Sequence, residues 1–567
     1  MLLRSGAKRL HIKRYDIGID IYLIIALIVL ATLARFILIQ NNWPVTNSDE
    51  GNMALLARHV AYNGEWPIFF YGLPYMGPIE GYIAAPLFRI FGPSTFALRL
   101  GLLPFFPLFL ICMYFLTRLL YTRWLAFFTV LVLCFGSDEV LMRQLKAVGE
   151  YPELLFFASF ISLMVAWLAL SSGEDEQHTQ WRRYLLYGVL GLVTGVALWV
   201  DFLILPFVGA GALLLWIFCR RELRSWKLLT LLAGLIVGAF PLIHYNIGAP
   251  IIQNSLVVLI SNDRSGSNLH LPFLQQLSGT FFIAFPDVLS FNPLCQPSAF
   301  PYFGNVNGAC VALHGAWSAG YLLLLAIATY GAWSLVRHGW KGQPLLKPDW
   351  TYEQRQEMAL QCGRLMLLVS AIGTIMLYAL SPAPAAYPGP TSRYINCILI
   401  AFPSVLWPLW NGIGAWWSMP DWRRRALLVG RVGLLLLILF MFMAGTFSTF
   451  GDIPAAQAFY RDQELLVQKL EALGATRIYS EYWTCNRLTF QSQEKIICSA
   501  LSTNLRPGFD RYPPYRTIVH AAPHPAYVFP RGTPQVTLLD QKLANDASFR
   551  EMYQRLVYEG YILYVPR

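Results

Sequence analysis

Charge is scarce in this sequence. Of 567 residues, 13% are Asp, Glu, Lys or Arg, against about a quarter in soluble domains. Hydrophobic residues make up 56% and aromatics 15%. That balance excludes an ordinary soluble globular chain and implies a protein embedded in a bilayer. Carboxylates are the scarcer charge, 32 against 43 Lys and Arg, for a net charge of +11. In a soluble protein the excess would point to nucleic acid. Here the basic residues collect in short segments between apolar runs, as cytoplasmic loops do, so no nucleic-acid partner is expected. The chain also lacks an internal repeat of fixed period and a low-complexity tract. Without a repeated half, it lacks a common mark of secondary transporters.

The basic opening MLLRSGAKRLHIKRYDIGID leads into IYLIIALIVLATLARFILI, a run of about 19 residues that suits a spanning helix. No small-residue cleavage site follows, so a first transmembrane helix is expected rather than a removed signal. About eleven runs are long enough, or nearly so, to span. They lie near 20–39, 96–117, 124–138, 153–170, 184–200, 202–218, 228–246, 316–336, 365–381, 394–413 and 432–448. Backbone groups in lipid must bond internally, which makes each run a helix. Basic segments such as QWRRY, CRRELRSWK and DWRRRALLVGR alternate with weakly basic ones at 40–95, 247–315 and 382–393. The asymmetry predicts a multi-pass cell-membrane protein, with a cytoplasmic N-terminus and an exterior or periplasmic C-terminus.

The expected fold is an all-α polytopic membrane domain over 1–448, followed by a small exterior α/β domain over 449–567. In the second part AAQAFYRDQELLVQKLEALG has helical periodicity. TRIYSEYW, HPAYVFP and GYILYVP read as strands, with a helix near 542–557. Nine cysteines divide by place. Cys295 with Cys310, and Cys485 with Cys498, fall on the oxidising side and are proposed as two disulfides, four free thiols being the alternative. Cys112, Cys134, Cys219, Cys362 and Cys397 lie in or near apolar helices as packing residues.

Two adjacent carboxylates, Asp49 and Glu50, follow the first run in TNSDEGNMALL. Apolar Met53, Leu56 and Val60 recur at helical spacing behind them. That pattern predicts an amphipathic helix lying along the membrane surface. Asp49 is then either its N-cap, favoured by the helix dipole, or a catalyst. Arg99 stands just inside the second span, where a charge has a partner or a task unless it snorkels. Arg393 in TSRY, and Lys146 in the turn SDEVLMRQLKAVGEYPELLFF, are further cations. Glu150 and Glu153 are alternative acidic candidates in that turn. No cofactor is required by the sequence. A divalent metal has two candidate ligands, Glu80 and His244 in FPLIHYN, far apart in sequence.

The order of these features resembles a known family. A first span, an acidic pair, a surface helix, a G-x-P, a broken apolar stretch ending FG and then ALRL open the chain. SPAPAAYPGPTSRYIN and IYSEYWTCNRLTFQSQEKII come later. This set is similar to the GT-C membrane glycosyltransferases, in particular the glycosyltransferase family 39-like dolichyl-phosphate-mannose protein mannosyltransferases and the lipid A aminoarabinose transferases. The resemblance is clearest over 20–200 and extends along the whole chain. It implies transfer of a hexose or pentose from a polyprenyl-phosphate donor to a protein, lipid or cell-envelope glycan acceptor. Asp49 matches the catalytic carboxylate, with Glu50 beside it. Arg99 matches a phosphate ligand, with Arg393 and Lys146 as further candidates, and an acidic residue is implied at Glu150 or Glu153. Some aminoarabinose-type members carry Lys-Pro in the first loop where this chain has MGPIE, so Lys146, Arg99 or a metal would have to stand in. The chemistry is coherent on its own terms. A carboxylate takes the proton of an attacking hydroxyl, and cations stabilise the departing lipid phosphate. The alternative is a transporter or flippase for a lipid-linked glycan, against which stands the clustering of charges at the exterior rim.

Overall fold

The computed structural model describes residues 19–149, 151–172, 180–265, 272–291, 308–344, 350–413 and 422–567. The first part is helical: α1 (Ile19–Gln40), α2 (Ser48–Arg58), α3 (Ile79–Phe91), α4 (Thr95–Leu120), α5 (Arg123–Leu133), α6 (Asp138–Leu145), α7 (Tyr151–Leu170) and α8 (Gln180–Val200). There follow α9 (Phe202–Phe218), α10 (Trp226–Gly238), α11 (Phe240–Gly248), α12 (Gly308–Trp340), α13 (Tyr352–Leu380), α14 (Phe402–Trp410) and α15 (Trp422–Gly451). Each of the eleven apolar runs falls on helix. Among the described residues, seven helices are long and apolar enough to cross a membrane, and up to nine if each of two bent pairs is one span. The remaining two runs are the shorter α9 and a 3-10 helix, Ser392–Ala401, that leads into α14. The chain is a multi-pass membrane protein.

The third run is the most informative. It breaks between α5 and α6 with a bend of 86°. The break falls at CFGSD, and its freed backbone groups find partners, as lipid requires. Arg35 donates to the carbonyl of Cys134 at 2.8 Å, and the N–H of Gly136 donates to Thr446 at 2.9 Å. Ser137 then caps α6. The bend carries α6 away from the axis of α5, and the segment after α6 reaches α2, where the N–H of Ala147 donates to Glu50.

α15 runs almost without interruption into α16 (Ile453–Ala472), across the boundary expected at 448/449. Beyond it come β1 (Arg477–Ser480), α17 (Tyr482–Gln491), β2 (Ile497–Ala500), α18 (Pro513–His520), β3 (Ala526–Pro530), α19 (Pro534–Asn545), β4 (Tyr553–Tyr558) and β5 (Tyr561–Pro566). The sheet order is β2-β1-β3-β5-β4. β1 is parallel to β2 and β3, and the β4–β5 hairpin adds antiparallel to β3. Its two-residue turn, Glu559 and Gly560, has φ of 38° and 78°, the positive pair a tight hairpin needs. The helix expected near 542–557 is therefore corrected. α19 ends at Asn545, a short helix covers Ala547–Met552, and the rest is strand. The strand expected through TRIYSEYW stops at Ser480 because Glu481 caps α17, accepting from the N–H of Trp483 at 2.8 Å. Cys485 and Cys498 form the expected disulfide, tying α17 to β2.

α2 has no free face of the kind expected for a helix half-sunk in a membrane surface. Every residue from Ser48 to Ala57 is buried, and the helix packs between α3 and α17. Its polar face, which a surface helix would give to water, meets the C-terminal domain instead. Gly51 makes the contact close: a Cβ there would stand 2.6 Å from the backbone nitrogen of Arg487.

Candidate functional site

The first turn of α2 organises the site. Its N-cap is Asn47, whose side chain accepts from the N–H of Glu50 at 3.0 Å, so Asp49 is not the cap. Asp49 and Glu50 occupy the first turn, where the helix dipole favours negative charge. Successive residues on a helix point about 100° apart, and the two carboxylates accordingly face different domains.

Glu50 turns toward the membrane helices. Arg99 of α4 grips it with two nitrogens, Nε to Oε1 at 2.8 Å and Nη2 to Oε2 at 2.6 Å. Both side chains are 1% exposed. Tyr460 of α16 accepts a third bond from Arg99 at 3.1 Å, and the N–H of Ala147 donates to Glu50 at 3.3 Å. A bidentate, buried guanidinium is strongly tied to its carboxylate, so Nε and Nη2 of Arg99 brace Glu50.

Asp49 turns toward the C-terminal domain. Arg511 donates from Nη2 to Oδ1 at 2.8 Å, and the hydroxyl of Tyr482 donates to the same oxygen. Arg511 also donates from Nε to Tyr482 at 2.7 Å, closing a three-membered ring of contacts. Burial and the charge of Asp49 push the Tyr482 phenol above its ordinary value, so it stays a donor. Arg511 is raised as well, because Asp49 and Tyr482 outweigh the burial that would lower it. Oδ2 of Asp49 has no hydrogen bond to any described residue.

Buried cations stand close by. Lys146 follows α6, and burial lowers it to about 8 despite the charge of Glu50. The Arg393 guanidinium lies over the rings of Tyr151 and Tyr394, 5.3 Å from each centroid. Its Nε is buried without a hydrogen-bond partner among the described residues, and Asp49 is near enough for its charge to act on it. Arg143 is spoken for by Glu139 at 2.7 Å.

Other expected residues fare differently. Glu80 is buried and accepts from the N–H of Gly149 at 3.0 Å. His244 is exposed and stacks on Phe240. Among the described residues no three His, Cys, Asp or Glu side chains form a metal-binding group. Glu153 is fully buried, and neither carboxylate oxygen has a partner among the described residues. Glu150 and Cys295 lie outside the described residues, while Cys310 is disulfide-bonded.

The sequence reading missed Tyr482, Arg511 and Tyr460. It also missed a second seam between the first loop and the C-terminal domain. His59, following α2, places Nδ1 2.9 Å from Tyr71 and Nε2 3.1 Å from Glu494. Tyr71 and Tyr512 both donate to Glu65, at 2.6 and 3.0 Å, and Arg58 pairs with Glu494. The aromatic cluster in RYPPY was the one local sign of this seam.

No protein-family model matches the sequence, and no curated protein matches it. Solved structures do. The chain matches ArnT from Cupriavidus metallidurans in the apo state with a TM-score of 0.50 and 13% identity, over 96% of this chain and 98% of that one. The same protein bound to undecaprenyl phosphate gives 0.49, with the same identity and coverage. The archaeal oligosaccharyltransferase AglB from Archaeoglobus fulgidus, in complex with an inhibitory peptide and a dolichol-phosphate, gives 0.47 and 13% identity. That match covers 97% of this chain and 74% of AglB. At such identity the likeness is one of fold. The chain has the GT-C architecture that its sequence resembles.

Proposed function

We propose that this chain is an integral-membrane glycosyltransferase that moves a sugar from a polyprenyl-phosphate donor to a hydroxyl acceptor at the exterior face. The GT-C fold shared with ArnT supports the transferase class. The observation that carries the reading is the Asp49 carboxylate. One oxygen is fastened by two donors and the other has no hydrogen bond to any described residue, beside buried cations.

In the reaction the acceptor oxygen attacks the anomeric carbon of the sugar. The new carbon–oxygen bond forms as the bond from that carbon to the phosphate oxygen breaks. The bonding pair leaves with the lipid phosphate, and the acceptor proton passes to Oδ2 of Asp49. A phosphate is a good enough leaving group to need no acid. It needs positive charge, which Lys146 and Arg393 supply. Arg99, bound by Glu50, braces the first turn of α2 instead. A single displacement inverts the anomeric centre. The asymmetry of basic loops supports an exterior position for the site.

The test uses the full-length protein in lipid vesicles with a panel of undecaprenyl-phosphate sugars. A membrane extract serves as the acceptor pool, and products are read by mass spectrometry. The reading expects one donor to release undecaprenyl phosphate while an acceptor gains the mass of the sugar, with the anomer inverted. Movement of intact donor across the vesicle wall with no bond cleaved would support the transporter instead.

A further inference from the structure

The C-terminal domain could serve only to choose the acceptor. Its contact with Asp49 argues for more. α17 and the segment before α18 bring Tyr482 and Arg511 onto a single oxygen of a carboxylate more than 430 residues earlier in the chain. We infer that Tyr482 and Arg511 are positioning residues for the catalytic carboxylate, so that the C-terminal domain completes the active site. This rests on the function proposed above.

A carboxylate free to turn presents either oxygen, in many orientations, and a base must meet the acceptor proton at a defined angle and distance. Two donors on Oδ1 remove that freedom. The ring is stiff because Arg511 also holds Tyr482, from Nε at 2.7 Å. Both side chains are anchored from behind. The Arg511 guanidinium lies 5.0 Å from the centroid of Phe70 and 5.4 Å from that of Phe509. Tyr482 packs against Trp483 and Phe509. α17 is itself pinned to α2, where the N–H of Asn486 donates to Ser48 at 3.1 Å. Among the described residues nothing hydrogen-bonds Oδ2, the oxygen that would take the proton.

The test compares Arg511→Gln, Arg511→Lys, Tyr482→Phe and Asp49→Asn in the full-length protein, with each of the first three also combined with Asp49→Asn. Turnover is read as release of undecaprenyl phosphate from the active donor. Binding is read separately with undecaprenyl phosphate itself. Positioning predicts that Arg511→Gln loses about 10²-fold in turnover, with undecaprenyl phosphate affinity unchanged and partial return in Arg511→Lys. The double variant Asp49→Asn with Arg511→Gln should be no slower than Asp49→Asn alone, because Arg511 acts through Asp49. Unchanged or raised turnover in Arg511→Gln would overturn the inference, the latter marking the contact as a lock. So would a double variant slower than either single one, which is the behaviour of a general folding defect. If Asp49→Asn keeps full turnover, the proposed base is wrong and the inference falls with it.

Discussion

Arg511 donates to Asp49 at 2.8 Å across 462 residues of sequence. The bond joins the C-terminal α/β domain to the first turn after the first span. It gives the two carboxylates of that turn separate surroundings: Glu50 is locked to the membrane helices through Arg99, and Asp49 is held by the second domain at Oδ1, with no described residue bonded to Oδ2.

The Glu50–Arg99 pair should matter for folding more than for phosphate binding. Removing one partner of a buried pair leaves a bare charge and costs about 3–5 kcal/mol. Glu50→Gln should therefore unfold at lower temperature or denaturant. Replacing both residues by apolar ones of similar volume should recover part of that loss. Thermal unfolding of the purified variants measures it.

Lys146 predicts a pH dependence. Burial lowers its ammonium to about 8, and a bound phosphate favours the charged form. Above that pH, binding must also take up a proton. Affinity for undecaprenyl phosphate should hold below pH 8 and weaken as pH rises through it. Lys146→Met should bind more weakly throughout and lose the slope. A titration by intrinsic fluorescence over this range decides.

Gly51 sets how closely α2 and α17 approach. Gly51→Val would push the side chain into the backbone of Arg487 and lift the C-terminal domain from the first loop. The expected result is faster proteolysis between α16 and β1 and loss of turnover, with the membrane helices still folded.

His59 predicts an opposite pH response. Burial is the largest cause of its lowered value, ahead of the opposing charge of Glu65. The undocked imidazole then takes up its proton at a higher pH than the docked one. Interface stability should be full above the ordinary histidine value of 6.5 and fall as pH drops through it. Hydrogen exchange in α18 should quicken at pH 5 relative to pH 7.5, and His59→Gln should flatten the difference.

Much of this was legible in the sequence. Apolar runs marked the membrane helices because lipid leaves the backbone no other partner. β3 and β5 were visible in HPAYVFP and GYILYVP, and the acidic pair stood out beside a span. The environment of α2 was not legible. Met53, Leu56 and Val60 gave it one apolar face, and nothing local says that α17 covers the other. Arg511 and Tyr482 sit in a polar domain where charged and aromatic residues are ordinary, and their partner is hundreds of residues away. β4 was read as helix because only its first residue is buried, which hides the alternation of an edge strand.

The central claim is that Asp49 takes the acceptor proton. Its most direct test is the turnover of Asp49→Asn on the donor that the parent protein uses, with undecaprenyl phosphate binding measured on the same sample. Loss of turnover with binding retained is the predicted result. Full turnover in the asparagine variant would contradict it.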